Sequence, residues 1–309
     1  MKKRGHHYVW KYYLSAWGND EKIWCHREGK TFNSSTDGIG KKRDFYKLKE
    51  LSIQDTKIIK KYFIDTTYPH LQKMNEKWIE IFSYIHNLKN ELEKQSISGQ
   101  QLDNFIDAAI YNFEEDLHGK IEEKAIKYLD SIKKEDVSFF QNNKGCISFS
   151  HYLAVQFLRT EKVKLDIIHS METMDKRDPD FKIEKIWNVV SHILATNMAW
   201  SIFESTVTEK PYKIILLKNN NANEFITGDQ PVVNIYKENN NLAVKETELY
   251  YPVSPKLGVL ITKNKAYKAI AFLELSVGQV KYYNRLIIQN SRNQIYASTK
   301  RTIVEAIGE

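Results

Sequence analysis

Residues 69–94, PHLQKMNEKWIEIFSYIHNLKNELEK, begin with a proline and then repeat apolar side chains every three or four positions. The apolar positions are Leu71, Met74, Trp78, Ile81, Phe82, Ile85 and Leu88. This spacing places them on one face of a helix, and proline is favoured in the first turn because no intrahelical partner awaits its missing N–H. The stretch therefore predicts a long amphipathic helix, which SISGQQ at 96–101 would end.

The segments on either side decide the fold class. The helical period recurs at 117–132, 148–160, 163–175 and 182–207, and a capping box of Ser276 and Gln279 predicts a helix at 276–291. From residue 211 onward, short apolar runs such as YKIILL, EFITG, PVVNIY, LAVKETELY and LGVLIT alternate with asparagine-rich turns, which is typical of strands. KIWCHREGKTF at 22–32 alternates like a strand that ends at a turn. We predict an α+β protein with a mainly helical middle (about 52–207), a small, mostly antiparallel C-terminal sheet and an N-terminal strand segment packed beside it.

Composition bounds the class of protein. A chain of 309 residues with 42% hydrophobic residues can bury a core, and its two cysteines are too few for a disulfide scaffold or a zinc cluster. We expect a single compact domain over 1–309, with a helical subdomain at about 52–207 and a sheet-containing part formed by 1–51 and 208–309. No apolar run reaches the roughly 18 residues of a membrane span. A cytoplasmic protein without a membrane partner is therefore expected, and its oligomeric state stays open.

The net charge of the chain and the motifs that it lacks limit the functions that it can have. The formal charge of +7 is compatible with a polyanionic partner, nucleic acid or nucleotide, although an AT-rich coding bias would also enrich lysine. The chain has no P-loop, no GxGxxG after a strand, no HExxH, no GxSxG and no CxxC. These absences argue against ordinary NTPases, dinucleotide enzymes, zincins and α/β-hydrolases.

Histidines and one helix supply the first candidate site residues. His6 and His7 are adjacent, so in an extended chain they face opposite sides, and one of them could act as an acid–base group or metal ligand. Glu122 follows His118 by four positions on a predicted helix, within reach of one metal. The alternatives are polar surface for the histidines and an ordinary helix-face pair for His118 and Glu122.

Later segments supply the others. Arg159 could clamp a phosphate beside Gln156, or form a surface salt bridge. Asp229, in TGDQP at 227–231, could aim its carboxylate at a ligand or a metal, or simply form the turn. Asn284 lies on the apolar face of its helix, so its amide must be hydrogen-bonded, either to a structural partner or to site residues.

Taken in order, HHYVWKYYLSAW, IEEKAIKYL, AVQFLRT, FITGDQPVV and YYNRLIIQNSRNQIYAS resemble the microbial family called domain of unknown function 4238. The resemblance spans nearly the whole chain. It implies that the functional positions are His6, His7, Glu122, Gln156, Arg159, Asp229 and Asn284. The chain departs from the family pattern at three positions, with Trp10 in place of proline, Gly228 in place of serine and Gln230 in place of asparagine.

These residue types fit a phosphodiester-cleaving enzyme, a nuclease of a microbial defence or toxin system. His6 or His7 would act as general base or metal ligand, and Asp229 and Glu122 would hold Mg²⁺ or Mn²⁺, with no organic cofactor. Arg159 would stabilise charge on the phosphate. Three amide side chains would orient the substrate, those of Gln156, Gln230 and Asn284.

Two other hypotheses use the same residues without catalysis. A binding module would sense a nucleotide or another small anion. A structural or interaction protein would use the polar set to join its helices to its sheet, and alanine at Asp229 or Arg159 would then cost about 1–3 kcal/mol of stability. Under the enzyme hypothesis the same substitutions leave stability nearly unchanged.

Overall fold

The computed structural model describes residues 1–174, 182–205, 208, 211–236, 247–267 and 271–308. The helices in these ranges are α1 (Lys11–Leu14), α2 (Ile53–Ile59), α3 (Pro69–Lys94), α4 (Gln100–Lys133), α5 (Asn143–Leu158), α6 (Glu161–Met174), α7 (Ile183–Glu204), α8 (Val277–Asn290) and α9 (Lys300–Ile307). The strands are β1 (Gly5–His7), β2 (Lys22–Arg27), β3 (Lys30–Ser35), β4 (Lys41–Arg43), β5 (Lys213–Lys218), β6 (Thr227–Gly228), β7 (Val233–Asn234), β8 (Leu249–Pro252), β9 (Leu257–Thr262), β10 (Phe272–Glu274) and β11 (Gln294–Ala297). The predicted α+β class is confirmed.

The helical middle forms around three long helices. α3 begins at Pro69, as its sequence predicts, and the chain between α3 and α4 turns at Ser96, whose φ is +53°. α4 begins well before the predicted 117–132, because Ile106 and Ile110 bury one face of its first half in the same apolar cluster as α3 and α7. α5 lies against α7, and the two share the buried residues of a second cluster, Ala154 among them. The ends of two predicted segments, residue 175 of 163–175 and residues 206 and 207 of 182–207, lie outside the described residues.

The strands form two larger sheets and one small pair. One sheet has the order β10-β5-β9-β8-β7 and is antiparallel except where β10 runs parallel to β5. The other has the order β3-β2-β11-β6 and is antiparallel throughout. The N-terminal hairpin therefore shares a sheet with C-terminal strands through the pairing of β2 with β11, where the sequence predicted an N-terminal segment packed beside the C-terminal sheet. Within the predicted strand LAVKETELY, residues 242–246 lie outside the described residues.

Residues 22–32 form a hairpin, where the alternation predicts one strand. β2 and β3 are joined by Glu28 and Gly29, whose φ values are +53° and +73°. Glycine adopts this left-handed conformation without steric cost, so the chain can reverse after β2 and continue its alternating pattern on the way back. β2 then takes the central position, between β3 and β11.

The N-terminal segment contacts the helical middle through a short pair of strands. β1 pairs with β4, with His6 opposite Lys42 and His7 opposite Lys41. The residues around this pair contact α4 and the end of α5: the His7 N–H donates to Glu115, the Leu48 N–H donates to the Ile110 carbonyl, and Arg159 donates to the Tyr46 hydroxyl. The predicted capping box of Ser276 and Gln279 at the start of α8 is confirmed. In the described ranges no helix has both the length and the apolar character to cross a bilayer.

Candidate functional site

Three buried side chains from two helices converge on one point. Glu114 and His118 lie one turn apart on α4, and His192 reaches them from α7. The carboxylate Oε1 of Glu114 is 3.6 Å from Nε2 of His118 and 3.6 Å from Nε2 of His192. One ligand atom from each residue lies within 4.8 Å of the others, so the three side chains, called the histidine group below, could hold a metal ion.

Both imidazoles of the histidine group lack hydrogen-bond partners. None of their four ring nitrogens makes a hydrogen bond within the described part of the chain, because the 3.6 Å separations from Glu114 are too long. The two rings stack on each other with centroids 5.2 Å apart, Tyr46 packs on His118 and Trp78 packs on His192. Buried polar atoms are nearly always hydrogen-bonded, so unpartnered nitrogens facing a carboxylate are a feature that needs a ligand or a proton to explain it.

The charge states of Glu114 and His118 are those of metal ligands. Burial, together with the positive charge of Arg159, lowers the pKa of His118 to about 3. Burial opposes ionisation of Glu114, but the adjacent His118 and His192 outweigh it and lower its pKa to about 2. At neutral pH the carboxylate is therefore charged and the His118 imidazole neutral, which are the forms that bind a cation.

A buried ion pair lies beside the histidine group. Arg159, at the end of α5, donates to Oε1 of Glu122 through Nη1 and to the His7 carbonyl through Nη2. Its Nε donates to the Tyr46 hydroxyl at 2.9 Å, and the Gln156 amide lies 3.5 Å from Glu122. The structure thus brings together four of the residues singled out in the sequence, His7, Glu122, Gln156 and Arg159. The Arg159 guanidinium donates its hydrogen bonds to protein groups, where the sequence suggested a phosphate.

The two adjacent histidines have different environments. His6 is fully buried; its Nδ1 accepts from the Tyr46 backbone N–H at 2.8 Å and its Nε2 donates to the Lys3 carbonyl at 3.1 Å. His7 is partly exposed, with Nδ1 3.9 Å from a Glu115 oxygen and Nε2 3.9 Å from an Asp37 oxygen. Burial lowers the pKa of His7 despite these carboxylates. His7 is therefore the one of the two whose ring is open to a further partner.

Asp229 and Gln230 are not members of the histidine group, and their side chains bind mainly backbone groups. The Asp229 carboxylate accepts three backbone N–H groups, from residues 292–294, at 2.7–3.0 Å. Burial raises its pKa although these N–H groups oppose the shift. The Gln230 side chain accepts from the Thr160 hydroxyl and donates to the Val232 carbonyl at 2.6 Å. These contacts fasten the junction after β6 to β11 and to the end of α5.

Asn284 also binds backbone. Its side-chain oxygen accepts from the Ile226 N–H at 3.0 Å and its amide donates to the Glu224 carbonyl at 2.8 Å. The buried amide of α8 therefore holds the segment leading into β6, which is the structural one of the two alternatives that the sequence left open.

The carboxylates expected to share a metal, Glu122 and Asp229, bind different partners. Glu122 is paired with Arg159, and Asp229 caps the turn at 292–294. Among the described residues, the set of three or more potential ligands within one ion's reach is the histidine group, and neither Glu122 nor Asp229 belongs to it.

A cleft of about 880 Å³ opens between the segment 42–52 and the first turns of α6 and α7. It is called the basic pocket below, because six cationic side chains line it against four acidic ones: Lys42, Arg43, Lys47, Lys49, Lys164 and Lys185 against Asp44, Glu50, Glu161 and Glu184. Burial, together with the charge of Lys49, lowers the pKa of Lys164. The pocket therefore presents an excess of positive charge, part of it withdrawn from water.

The basic pocket backs onto the histidine group through two side chains. Asn188 lines the pocket and donates its amide to Oε2 of Glu114, the oxygen not shared by the histidines. Tyr46 lies in the sequence between Phe45 and Lys47, which line the pocket, and packs on His118 with ring centroids 4.6 Å apart. A single layer of side chains thus separates the pocket from Glu114.

Sequence reasoning missed Glu114, Asn188 and His192. A signal was present for each, because Glu114 precedes His118 by one turn and the other two are polar residues on the mainly apolar helix IWNVVSHILATNMAW (186–200). What the sequence does not contain is the distance between α4 and α7.

The comparison with known families agrees with the motif order. A family model described as "Protein of unknown function (DUF4238)" matches residues 5–301, which is nearly the whole chain. This match confirms the resemblance seen in the motifs. No curated protein and no solved structure matches the chain.

Proposed function

This chain belongs to the family described as Protein of unknown function (DUF4238), and we propose that it is a metal-dependent hydrolase that cleaves a phosphodiester bound in the basic pocket. One observation carries the proposal. Glu114 directs one carboxylate oxygen at two unpartnered imidazoles and the other at Asn188, which lines the pocket. The group that could hold a cation is thereby joined to the surface that would hold an anion.

The first step is binding of the phosphate. Cationic side chains supply most of the affinity of proteins for nucleic-acid backbones, and the pocket has the volume of a small-molecule site. Lys164 is partly withdrawn from water, so its attraction for a phosphate is screened less than that of a surface lysine. We propose further that the substrate is nucleic acid and that the protein is a nuclease of a microbial defence or toxin system.

The second step concerns the cation. Two imidazoles and one carboxylate form the ligand set of hydrolytic zinc sites, in which a fourth position stays open for water. Ligand atoms about 2.0–2.1 Å from a tetrahedral ion are about 3.4 Å apart, close to the 3.6 Å between Glu114 and each histidine. A divalent ion held there would supply a water that is activated near neutral pH. Of the two ions expected from the sequence, Mn²⁺ fits nitrogen ligands better than Mg²⁺, which prefers oxygen.

The third step is proton transfer, for which we propose His7. Its ring is partly exposed, its Nε2 is buried and unpartnered within the described part of the chain, and its Nδ1 lies near Glu115, the neighbour of Glu114 on α4. Because burial lowers its pKa, His7 is neutral at neutral pH and can accept a proton. Arg159, which is paired with Glu122, would position the segment that carries His7 by donating a hydrogen bond to the His7 carbonyl.

A second candidate function is binding of a nucleotide or small anion without turnover. The observation that favours it is the burial of the histidine group, whose members are each at most 2% exposed. A fully enclosed centre can hold an ion that stabilises the fold while the basic pocket acts only as a receptor.

A cleavage assay tests the proposal. Labelled single- and double-stranded RNA and DNA are incubated with the full-length protein and Mn²⁺, Mg²⁺ or EDTA. The variants are Glu114→Gln, which removes the charge at the ion, and Glu123→Gln, a matched control on an exposed position of the same helix. We expect cleavage with Mn²⁺, loss in EDTA, a fall of about 100-fold or more in Glu114→Gln and no change in Glu123→Gln.

Because Glu114 is buried, a pocket variant provides an independent readout. Lys49→Glu reverses a charge in the basic pocket, and Lys300→Glu reverses one on α9, outside it. The first should raise KM and weaken its dependence on salt, and the second should change neither. Cleavage that persists in EDTA contradicts the proposal. Saturable binding of nucleotides without cleavage of any substrate replaces it by the second candidate function.

A further inference from the structure

A second cleft, of about 890 Å³, lies on the other side of His192, among α3, α4, α5 and α7. It is called the apolar pocket below. Trp78 forms part of its wall and stacks on His192 with ring centroids 4.8 Å apart. Aliphatic side chains from all four helices make up much of the rest, and Met74 and Ile81 stay 45% and 40% exposed on α3. Its volume is that of a pocket for a small organic ligand.

The charges around the apolar pocket all have one sign. Four lysines contribute to its lining, Lys77, Lys124, Lys127 and Lys144, and none of the described residues that line it is acidic. The basic pocket differs, because its lysines are interspersed with carboxylates. An apolar cavity whose charged lining residues are all lysines is complementary to a molecule that has an apolar body and an anionic group.

An unused donor supports the same conclusion. The indole N–H of Trp200, another residue of the lining, is buried and has no hydrogen-bond acceptor within the described part of the chain. Indole N–H groups normally find an acceptor when they are buried. An oxygen of a bound ligand would provide one.

The lining distinguishes an alkyl chain from a nucleobase. A base needs free aromatic faces, but Trp78 already packs on His192, and Trp200 packs on His70 and Phe203. The surfaces that remain are largely aliphatic, which a flexible chain can follow. We propose that the apolar pocket binds an amphiphilic anion, a ligand with a hydrocarbon chain and a carboxylate or phosphate head. This site does not depend on the proposed hydrolysis.

Isothermal titration of the 309-residue chain tests the proposal with three ligands that have the same alkyl chain: decanoate and decylamine below their micelle concentrations, and decanol below its solubility limit. We expect saturable binding of decanoate at one site, about tenfold weaker binding of decanol and no saturable binding of decylamine. Ile81→Glu should weaken decanoate about tenfold or more by placing a carboxylate at the pocket. Ile53→Glu, at a position 79% exposed on α2, should not.

Charge reversal provides the second readout. Lys124→Glu combined with Lys144→Glu should weaken decanoate but leave decanol unchanged, and Lys300→Glu should change neither. Equal affinities for the three ligands, or decanoate binding that survives Ile81→Glu, would overturn the proposal. So would binding to anionic phospholipid vesicles without binding of free decanoate, because that result identifies a membrane surface as the partner.

Discussion

Breaking the buried ion pair should be among the most destabilising single changes in the protein. Arg159 is 3% exposed and Glu122 is 6% exposed, and the guanidinium also donates to Tyr46 and to the His7 carbonyl. Replacing Arg159 by methionine keeps an apolar chain of similar length but leaves Glu122 buried without its cation. Removing one partner of a buried pair costs about 3–5 kcal/mol, and two lost hydrogen bonds to Tyr46 and His7 act in the same direction.

The assay is urea unfolding of four proteins: the original chain, Arg159→Met, Glu122→Gln and the double variant. The double variant should lose less stability than the sum of the single variants, by about 1–3 kcal/mol, because the two residues contact each other directly. Arg301→Met removes an arginine from an exposed pair with Glu305 and should leave the unfolding midpoint unchanged. A loss below about 1 kcal/mol for Arg159→Met, or strict additivity in the double variant, would refute the positioning role assigned to the pair.

Three further predictions concern other contacts. Asp229→Ala should lower the free energy of unfolding by about 1–3 kcal/mol, because the backbone N–H groups of 292–294 lose their acceptor. Nearly unchanged stability was expected only if Asp229 served the catalytic centre, and the proposed hydrolase does not use Asp229; unfolding within error of the original chain would contradict its structural role. Asn188→Leu should weaken metal binding about 10- to 100-fold, because the hydrogen bond from Asn188 orients the proposed ligand Glu114. Equilibrium dialysis measures the metal affinity, and an unchanged affinity would contradict a role of Asn188 in joining the pocket to Glu114. Asp55→Asn should destabilise the protein at neutral pH only. Burial opposes the charge of Asp55, but Lys185 and Ser52 lower its pKa below the ordinary value of 3.8. The charged carboxylate therefore stabilises the fold above pH 3.8, and this stabilisation is lost as the pH falls through the folded-state pKa. A stability difference between Asp55→Asn and the original chain that persists in acid would refute this prediction.

Much of the fold follows from local pattern. α3 and the start of α8 could be predicted because proline, serine and glutamine occupy positions that a helix start requires, and the apolar period does the rest. The first half of α4 was missed because its apolar residues are spread among polar ones, and tertiary burial of Ile106 and Ile110 decides its conformation. The β2–β3 hairpin was missed because the turn at Gly29 interrupts an alternation that looks continuous in the sequence.

The site was predicted only in part, for a reason that lies on α4. Glu114, His118 and Glu122 are each four residues apart and form one stripe along the helix. The sequence pairs His118 with Glu122, but the structure divides the stripe between two partners, Arg159 for Glu122 and His192 for the other two. Helical spacing predicts which side chains share a face. It does not predict which helix covers that face, and that contact between α4 and α7 creates the histidine group.

The most direct test of metal-dependent hydrolysis is to measure Mn²⁺ occupancy and phosphodiester cleavage in the same samples. Metal-free protein is titrated with Mn²⁺, beside His192→Gln and a matched control, His26→Gln, at a histidine of β2 outside the histidine group. The account predicts one ion per chain and cleavage that rises in proportion to occupancy. In His192→Gln alone, Mn²⁺ affinity should fall by more than the about 10- to 100-fold that the loss of an outer hydrogen-bond partner costs. Full cleavage by the metal-free protein, or unchanged Mn²⁺ affinity in His192→Gln, would contradict it.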